Sequence, residues 1–236
     1  MQSEAAQLTL QDHVLTWFDK YKRQLVIGSV AVVAVAAVVS IYYWRQNETQ
    51  AEASAALSKI TTSAFTGATA ASTTADLLKL VSQYPETEAA RRALMLAAGN
   101  QFAEGNYAEA QAHFEKFLRD YRSSSFANQA LLGVASCKDA LGKTDEALNG
   151  YKDIVDHHGN ESVATQARFA LGRIYEKQGK PELARDLYQE VAQVDPNGAL
   201  SAEAGMRLAE LYSRNPNLVP APAAPAAPAL KPAAQP

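Results

Sequence analysis

The sequence is poor in the residues that carry chemistry. A single cysteine, Cys137, among 236 residues excludes an intrachain disulfide framework and every metal site built on several thiolates. Four histidines leave little material for an imidazole-ligated centre, and twelve glycines are too few for a glycine-rich nucleotide cradle to dominate. Neither sign of charge is in large excess. A net charge of −3 and a pI near 5.8 argue against a nucleic-acid surface, which normally shows as a basic face. Neither G-x-S-x-G nor H-E-x-x-H occurs. Leu141-Gly142-Lys143-Thr144 imitates the end of a phosphate loop, but Cys137 stands where that loop needs its first glycine, so a turn between helices is the better reading. His157, His158 and Glu161 offer three potential ligands. A solvated helix end explains them more simply, because histidine there complements the helix dipole. Cys137 reads as a small, semi-buried residue. The expectation is a protein without catalytic residues, cofactor or metal.

What is present is unevenly spread. Between Arg23 and Arg45 lie 21 residues without a charge, ten of them Val, Ile or Leu. As a helix at ~1.5 Å per residue they cover ~30 Å, the thickness of a bilayer core. The ten aliphatics favour insertion by roughly 3–6 kcal/mol. Trp17, Phe18 and Tyr21 precede the run, and Tyr42, Tyr43 and Trp44 close it, as interfacial belts do. A cleaved signal peptide would have a shorter apolar run, although the Ala-rich 51–56 stretch imitates a cleavage site. A buried soluble helix would not need two aromatic belts. The sequence therefore predicts a short tail over 1–24 and a membrane span over 25–44. Lys20, Lys22 and Arg23 before the span outweigh Arg45 after it, which places the tail in the cytoplasm and the remainder across the membrane.

Beyond the span the chain repeats itself. Gly105, Gly142 and Gly179 are 37 residues apart; so are Ala110, Ala147 and Ala184; so are Phe114, Tyr151 and Tyr188; so are Ala93, Ala130, Ala167 and Ala204. Each unit reads as helix, turn, helix, with the glycine as a left-handed C-cap and, in the third copy, Pro181 in the first turn of the second helix. A weaker copy lies upstream, with 52–60 as its first helix, 67–75 as a loose connection and 77–85 as its second helix. Residues 202–212 read as a closing, unpaired helix. One pair cannot bury its apolar face alone, so neighbours must stack. The fold class predicted is all-α: four helix pairs of period 37 plus a capping helix, over residues 45–214. Residues 215–236 hold seven of the ten prolines and cannot form a core. They read as an extended spacer rather than as a ligand for a proline-binding groove.

The third copy carries Leu171-Gly172-Arg173-Ile174-Tyr175, then Ala184, Tyr188 and Pro196, and on these residues the chain resembles the tetratricopeptide repeat family. The other copies keep the alanine and the aromatic but place Ala98 and Ala135 at the glycine, and Gln101 and Lys138 at the tyrosine. The unit is longer than the usual ~34 residues. A short tail, one anchor and a small repeat domain are together similar to the bacterial ancillary subunit of the Sec translocon, whose repeat domain is classed with that of the periplasmic cell-division coordinator. The resemblance implies an inner-membrane, single-pass protein with a periplasmic repeat domain. Its partners would be translocon subunits, periplasmic chaperones or secreted polypeptides, and it would perform no covalent chemistry. An envelope or cell-division coordinator is the alternative, and self-association is a further possibility.

In such a stack the first helices line the groove. One column is Met95, Leu132, Phe169 and Met206; a second is Gly99, Ser136, Arg173 and Glu210; a third begins with Phe102. The candidate peptide groove is therefore Met95, Phe102, Leu132, Phe169, Arg173 and Met206, rimmed by Arg173 and Glu176. Leu132 and Phe169 could equally be core between helices. Deleting residues 25–44 is expected to move the protein from the membrane pellet to the soluble fraction on carbonate extraction; retention in the pellet would refute the anchor.

Overall fold

The computed structural model describes residues 2–65, 67, 69–158 and 162–219. Among these, every regular element is helical: α1 (Gln2–Phe65), α2 (Ala70–Gln83), α3 (Glu88–Ala103), α4 (Tyr107–Asp120), α5 (Ala127–Ala140), α6 (Thr144–His157), α7 (Ser162–Lys177), α8 (Pro181–Val194), α9 (Ala199–Arg214) and a 3-10 turn, Pro216–Leu218. The repeat foreseen from the alanine and aromatic columns is a repeat of backbone. The second helices α2, α4, α6 and α8 are each 14 residues long and begin at 70, 107, 144 and 181. The chain forms two compact units, Met1–Ala93 and Leu94–Pro236, divided within α3.

In the first unit, α1 runs on as one helix across the expected boundaries at 24/25 and 44/45. No turn separates the span from the first repeat helix. Residues 45–64 contain neither glycine nor proline, and their hydroxyls fold back on the helix. Thr49 donates to the Arg45 carbonyl at 2.9 Å and Thr62 to that of Ser58 at 2.8 Å, so the helix never meets a breaker. From Val26 to Trp44 the side chains are all exposed, which leaves a helix long and apolar enough to cross a membrane. The loose connection foreseen over 67–75 is shorter than expected. The Thr69 hydroxyl caps α2, accepting from the Ser72 N–H at 3.2 Å, and the helix starts seven residues before Leu77. Leu77, Leu80 and Val81 of α2 are buried together with Ala53 of α1. Gln50 Oε1 accepts from the Glu88 N–H at 3.1 Å, holding the start of α3 to α1.

The second unit shows how the repeat packs. Gly105, Gly142 and Gly179 have φ of +83°, +75° and +69°. At each, the N–H one residue later reaches the carbonyl five residues back: Asn106 to Gln101, Lys143 to Lys138 and Lys180 to Tyr175, all at 2.9 Å. These are Schellman closures, and the left-handed residue must be glycine. Ala130, Ala167, Ala204, Ala110, Ala147 and Ala184 are fully buried, so backbones meet at these points. Phe114, Tyr151 and Tyr188 are buried beside them, and Phe117, Ile154 and Val191 form another buried column one turn on. The aromatic fills the space that small residues leave. A Cβ on Gly133 would lie 2.7 Å from the Phe114 ring, and one on Gly172 would lie 2.6 Å from that of Tyr188. Cys137 is fully buried rather than semi-buried, and burial pushes its thiol up to about 11, so it is a core residue. The packed region also runs past 214: the Pro216–Leu218 turn buries Leu218 against the core. Residues 220–236, expected as a spacer, lie outside the described residues, as does Glu161 of the histidine cluster. His157 itself sits 3.1 Å from Asp153 on its own helix.

Phe169 differs from its groove assignment. It is 7% exposed, and its ring centroid lies 5.6 Å from that of Tyr188, so it belongs to the core within its pair. Phe169→Asp is expected to cost at least about 3–5 kcal/mol and to collapse the thermal transition; a variant that keeps its Tm and loses only partner capture would restore the groove assignment. Gly172→Val is expected to lower stability by about 1–3 kcal/mol through overlap with Tyr188, measured by urea unfolding.

Candidate peptide groove

On one face of the second unit, α3, α5 and α7 present their side chains to two hollows that share walls. The smaller, of about 280 Å³, lies between α3 and α5 and is bounded by Met95, Gly99, Phe102, Phe114, Leu132 and Gly133. Two glycines on facing helices open it. Gly99 has open space where a Cβ would stand, and Gly133 admits the Phe114 ring. Phe102 is half-buried and held edge-on by Tyr107, centroid to centroid 5.1 Å. The surface offered is mostly aliphatic and aromatic, with Gln129, Ser136 and Gln166 at its polar edge, and has room for an apolar side chain.

The larger hollow, of about 580 Å³, continues from the same Phe102, Leu132, Ser136 and Gln166 toward Tyr151, Arg173 and Lys177. The Tyr151 hydroxyl donates to Ser136 Oγ at 3.1 Å. Burial pushes its phenol up, with the Asp139 charge adding to the effect; the Ser136 hydrogen bond and the Arg173 charge act the other way. The phenol therefore stays protonated and polar at neutral pH.

Glu176 was expected on the rim and lies elsewhere. Tyr188 donates to its Oε2 at 3.0 Å, and Arg214 Nη1 lies 3.3 Å from its Oε1, with Arg207 Nη1 at 4.0 Å from Oε2. Burial and this carboxylate together hold the Tyr188 phenol far above its usual range. Glu176 is thus committed to joining α7, α8 and α9, and it does not neutralise the cations that share its helix.

Of the residues expected from the sequence, Met95, Phe102, Leu132 and Arg173 line these hollows, Leu132 as a core residue that shows only 6% of its surface there. Phe169 does not, for the reason given above. Met206 is 67% exposed on α9 and lines neither hollow. Its counterpart Phe169 packs on the second helix of its own pair, and among the described residues α9 is followed by no second helix, so Met206 is left bare. Gln166 and Lys177 were missed. Both were within reach: Gln166 is one period from Gln129, and Lys177 is one turn from Arg173.

Known proteins place the fold. A solved tetratricopeptide repeat protein from Parabacteroides merdae is similar over 72% of this chain and 63% of its own, at 15% identity and a TM-score of 0.54. The chaperone PcrH from Pseudomonas aeruginosa aligns with 52% of this chain and 92% of its own, at 23% identity and a TM-score of 0.45. The Yersinia enterocolitica type III secretion chaperone SycD, solved with a peptide of the translocator YopD, aligns with 51% and 88%, at 19% identity and a TM-score of 0.43. No curated protein is similar enough to count as a match. Residues 16–189 match the tetratricopeptide repeat-like domain, a stretch that begins before the apolar span and ends within α8. With most of its length matched and its helices paired at a fixed period, the chain belongs to the tetratricopeptide repeat-like domain family.

Proposed function

We propose that this protein is a membrane-tethered scaffold that holds segments of other polypeptides in the groove of α3, α5 and α7. The observation that carries the reading is the apolar hollow beside Gly99. A surface helix has no packing use for an unfilled glycine, which costs about 0.8–1.0 kcal/mol against alanine, yet Gly99 leaves room in which one aliphatic side chain could be buried for about 1.5–3 kcal/mol. The exposed apolar stretch of α1 supports the tether, since lipid is the solvent that such a surface matches. Tethering confines the groove to one membrane face and raises its effective concentration toward partners there. By the basic residues that flank the span, that face is the periplasmic side of a bacterial inner membrane, and the partners proposed are Sec translocon subunits, periplasmic chaperones or emerging secreted polypeptides.

A photo-crosslinking amino acid at Gln166, in the full chain in its native membrane, is expected to capture translocon subunits or secreted chains. Recovery of cell-wall synthesis proteins alone would replace this reading with that of an envelope or division coordinator. Gly99→Leu places a side chain in the hollow, and its Cβ has no atom within 4 Å. It is expected to keep or raise the Tm while reducing capture at least tenfold; undiminished capture would show that the hollow is not the binding site.

A further inference from the structure

We infer that the groove selects segments in which an apolar side chain is followed or preceded, two or three residues away, by an acidic one, the apolar group entering the hollow at Gly99 and the side-chain carboxylate meeting Arg173 and Lys177. The inference rests on the groove reading above and adds the chemistry of the occupant.

The charge on the walls is the first argument. Arg173 and Lys177 both line the larger hollow, and Asp139 is the single carboxylate among its lining residues. Neither cation takes part in a hydrogen bond or an ion pair among the described residues, whereas most basic residues of α7 to α9 do. Arg168 is 3.0 Å from Glu190, Arg185 is 2.6 Å from Asp186, and Arg207 and Arg214 turn to Glu176. Glu176, three residues from Arg173 and the natural intrahelical partner, is already held by Tyr188 and two arginines. Arg173 and Lys177, one turn apart, therefore repel each other, and among the described residues neither is ion-paired with a carboxylate; Asp139, on the α5 wall of the same hollow, forms no ion pair with them. Lys177, in the last turn of α7, gains something from the helix dipole; Arg173, half-buried a turn earlier, does not.

Donor chemistry is the second argument. Ser136 accepts the Tyr151 hydroxyl, which leaves the Ser136 proton to be given. With the Arg173 fork, the Lys177 ammonium and the Gln166 amide, the wall offers donors, which suits an acceptor-only group such as a carboxylate.

Spacing is the third. The two hollows share Phe102, Leu132, Ser136 and Gln166, so one ligand can occupy both. The apolar hollow lies between α3 and α5, and the cations stand on α7. Packed helices are ~8–10 Å apart, and an extended chain covers that in two or three residues at ~3.3 Å each. Both hollows are open, so a chain can run through them, and the carboxylate is assigned to a side chain rather than to a chain end.

The test uses the full chain in lipid nanodiscs and fluorescein-labelled Ser/Gly nonapeptides, blocked at both ends, carrying one Leu and one Glu two or three residues apart in either order. Fluorescence anisotropy is expected to show the best of these binding at least tenfold tighter than the same peptide with Gln for Glu, and tighter than that with Ser for Leu. The Glu preference should shrink when salt is raised from 50 to 500 mM, and should vanish in Arg173→Gln/Lys177→Gln with the Tm unchanged. Equal binding of the Glu and Gln peptides would overturn this inference and leave the groove reading standing. Binding only to peptides with a free C-terminus would overturn the assignment to a side chain. Failure of every peptide, together with undiminished crosslinking in Gly99→Leu, would remove the groove reading and this inference with it.

Discussion

The structure depends on one steric complement, an aromatic ring on α4, α6 and α8 seated where the neighbouring first helices carry little or no side chain. Tyr188 lies on Gly172 and Phe114 on Gly133, with Cβ clearances that only glycine satisfies. Around each ring the alanine columns bring backbones together. Such contacts are lost steeply when a gap opens or a methyl intrudes, so the register between helices is fixed at every repeat. The constant 37-residue spacing of α2, α4, α6 and α8 goes with this packing: the ring column and the alanine columns recur at that same interval.

That constraint also decides what is left over for binding. A first helix turns some of its faces to neighbours and retains one that is only partly covered. Along α3, α5 and α7 this face carries Gly99, Ser136 and Arg173 at equivalent positions, so it changes from vacant to polar to cationic along the stack. The packing columns repeat while this face varies, and on the proposed reading the variable face is where a partner would be told from its competitors. Glu176 shows the division of labour. It spends its charge on Tyr188, Arg207 and Arg214, which joins the helices at the end of the stack and leaves Arg173 and Lys177 without it as an ion-pair partner.

Much of the fold was legible because the columns that pack are made of residues with few alternatives. Alanine at 110, 147 and 184, and glycine at 105, 142 and 179, say where backbones touch and where φ turns positive. Even the worn first copy kept the logic: Thr73, Leu77 and Leu80 are buried at the equivalents of Ala110, Phe114 and Phe117. Helix ends were less legible. The start of α2 rests on the Thr69 hydroxyl, and the continuity of α1 rests on the absence of any breaker after Trp44, a weaker sign than the aromatic belt that suggested an end. The site was half legible. Column position named Met95, Phe102, Leu132 and Arg173, but it could not show that Phe169 and Leu132 are both buried in the core, with only Leu132 also bordering a hollow. It also misjudged Glu176, because a charge on a helix surface does not reveal which neighbours will claim it.

The unbroken α1 has a mechanical meaning. Its 21 residues from Arg45 to Phe65 make a post of roughly 30 Å, at 1.5 Å each, standing on the apolar stretch with no joint between. A flexible leash would let its cargo roam a volume set by leash length. On the proposed tether, a stiff post would instead set a height, so that the hairpin of α1 and α2 would be carried at one distance from the lipid surface and any tilt of the apolar half would swing it sideways.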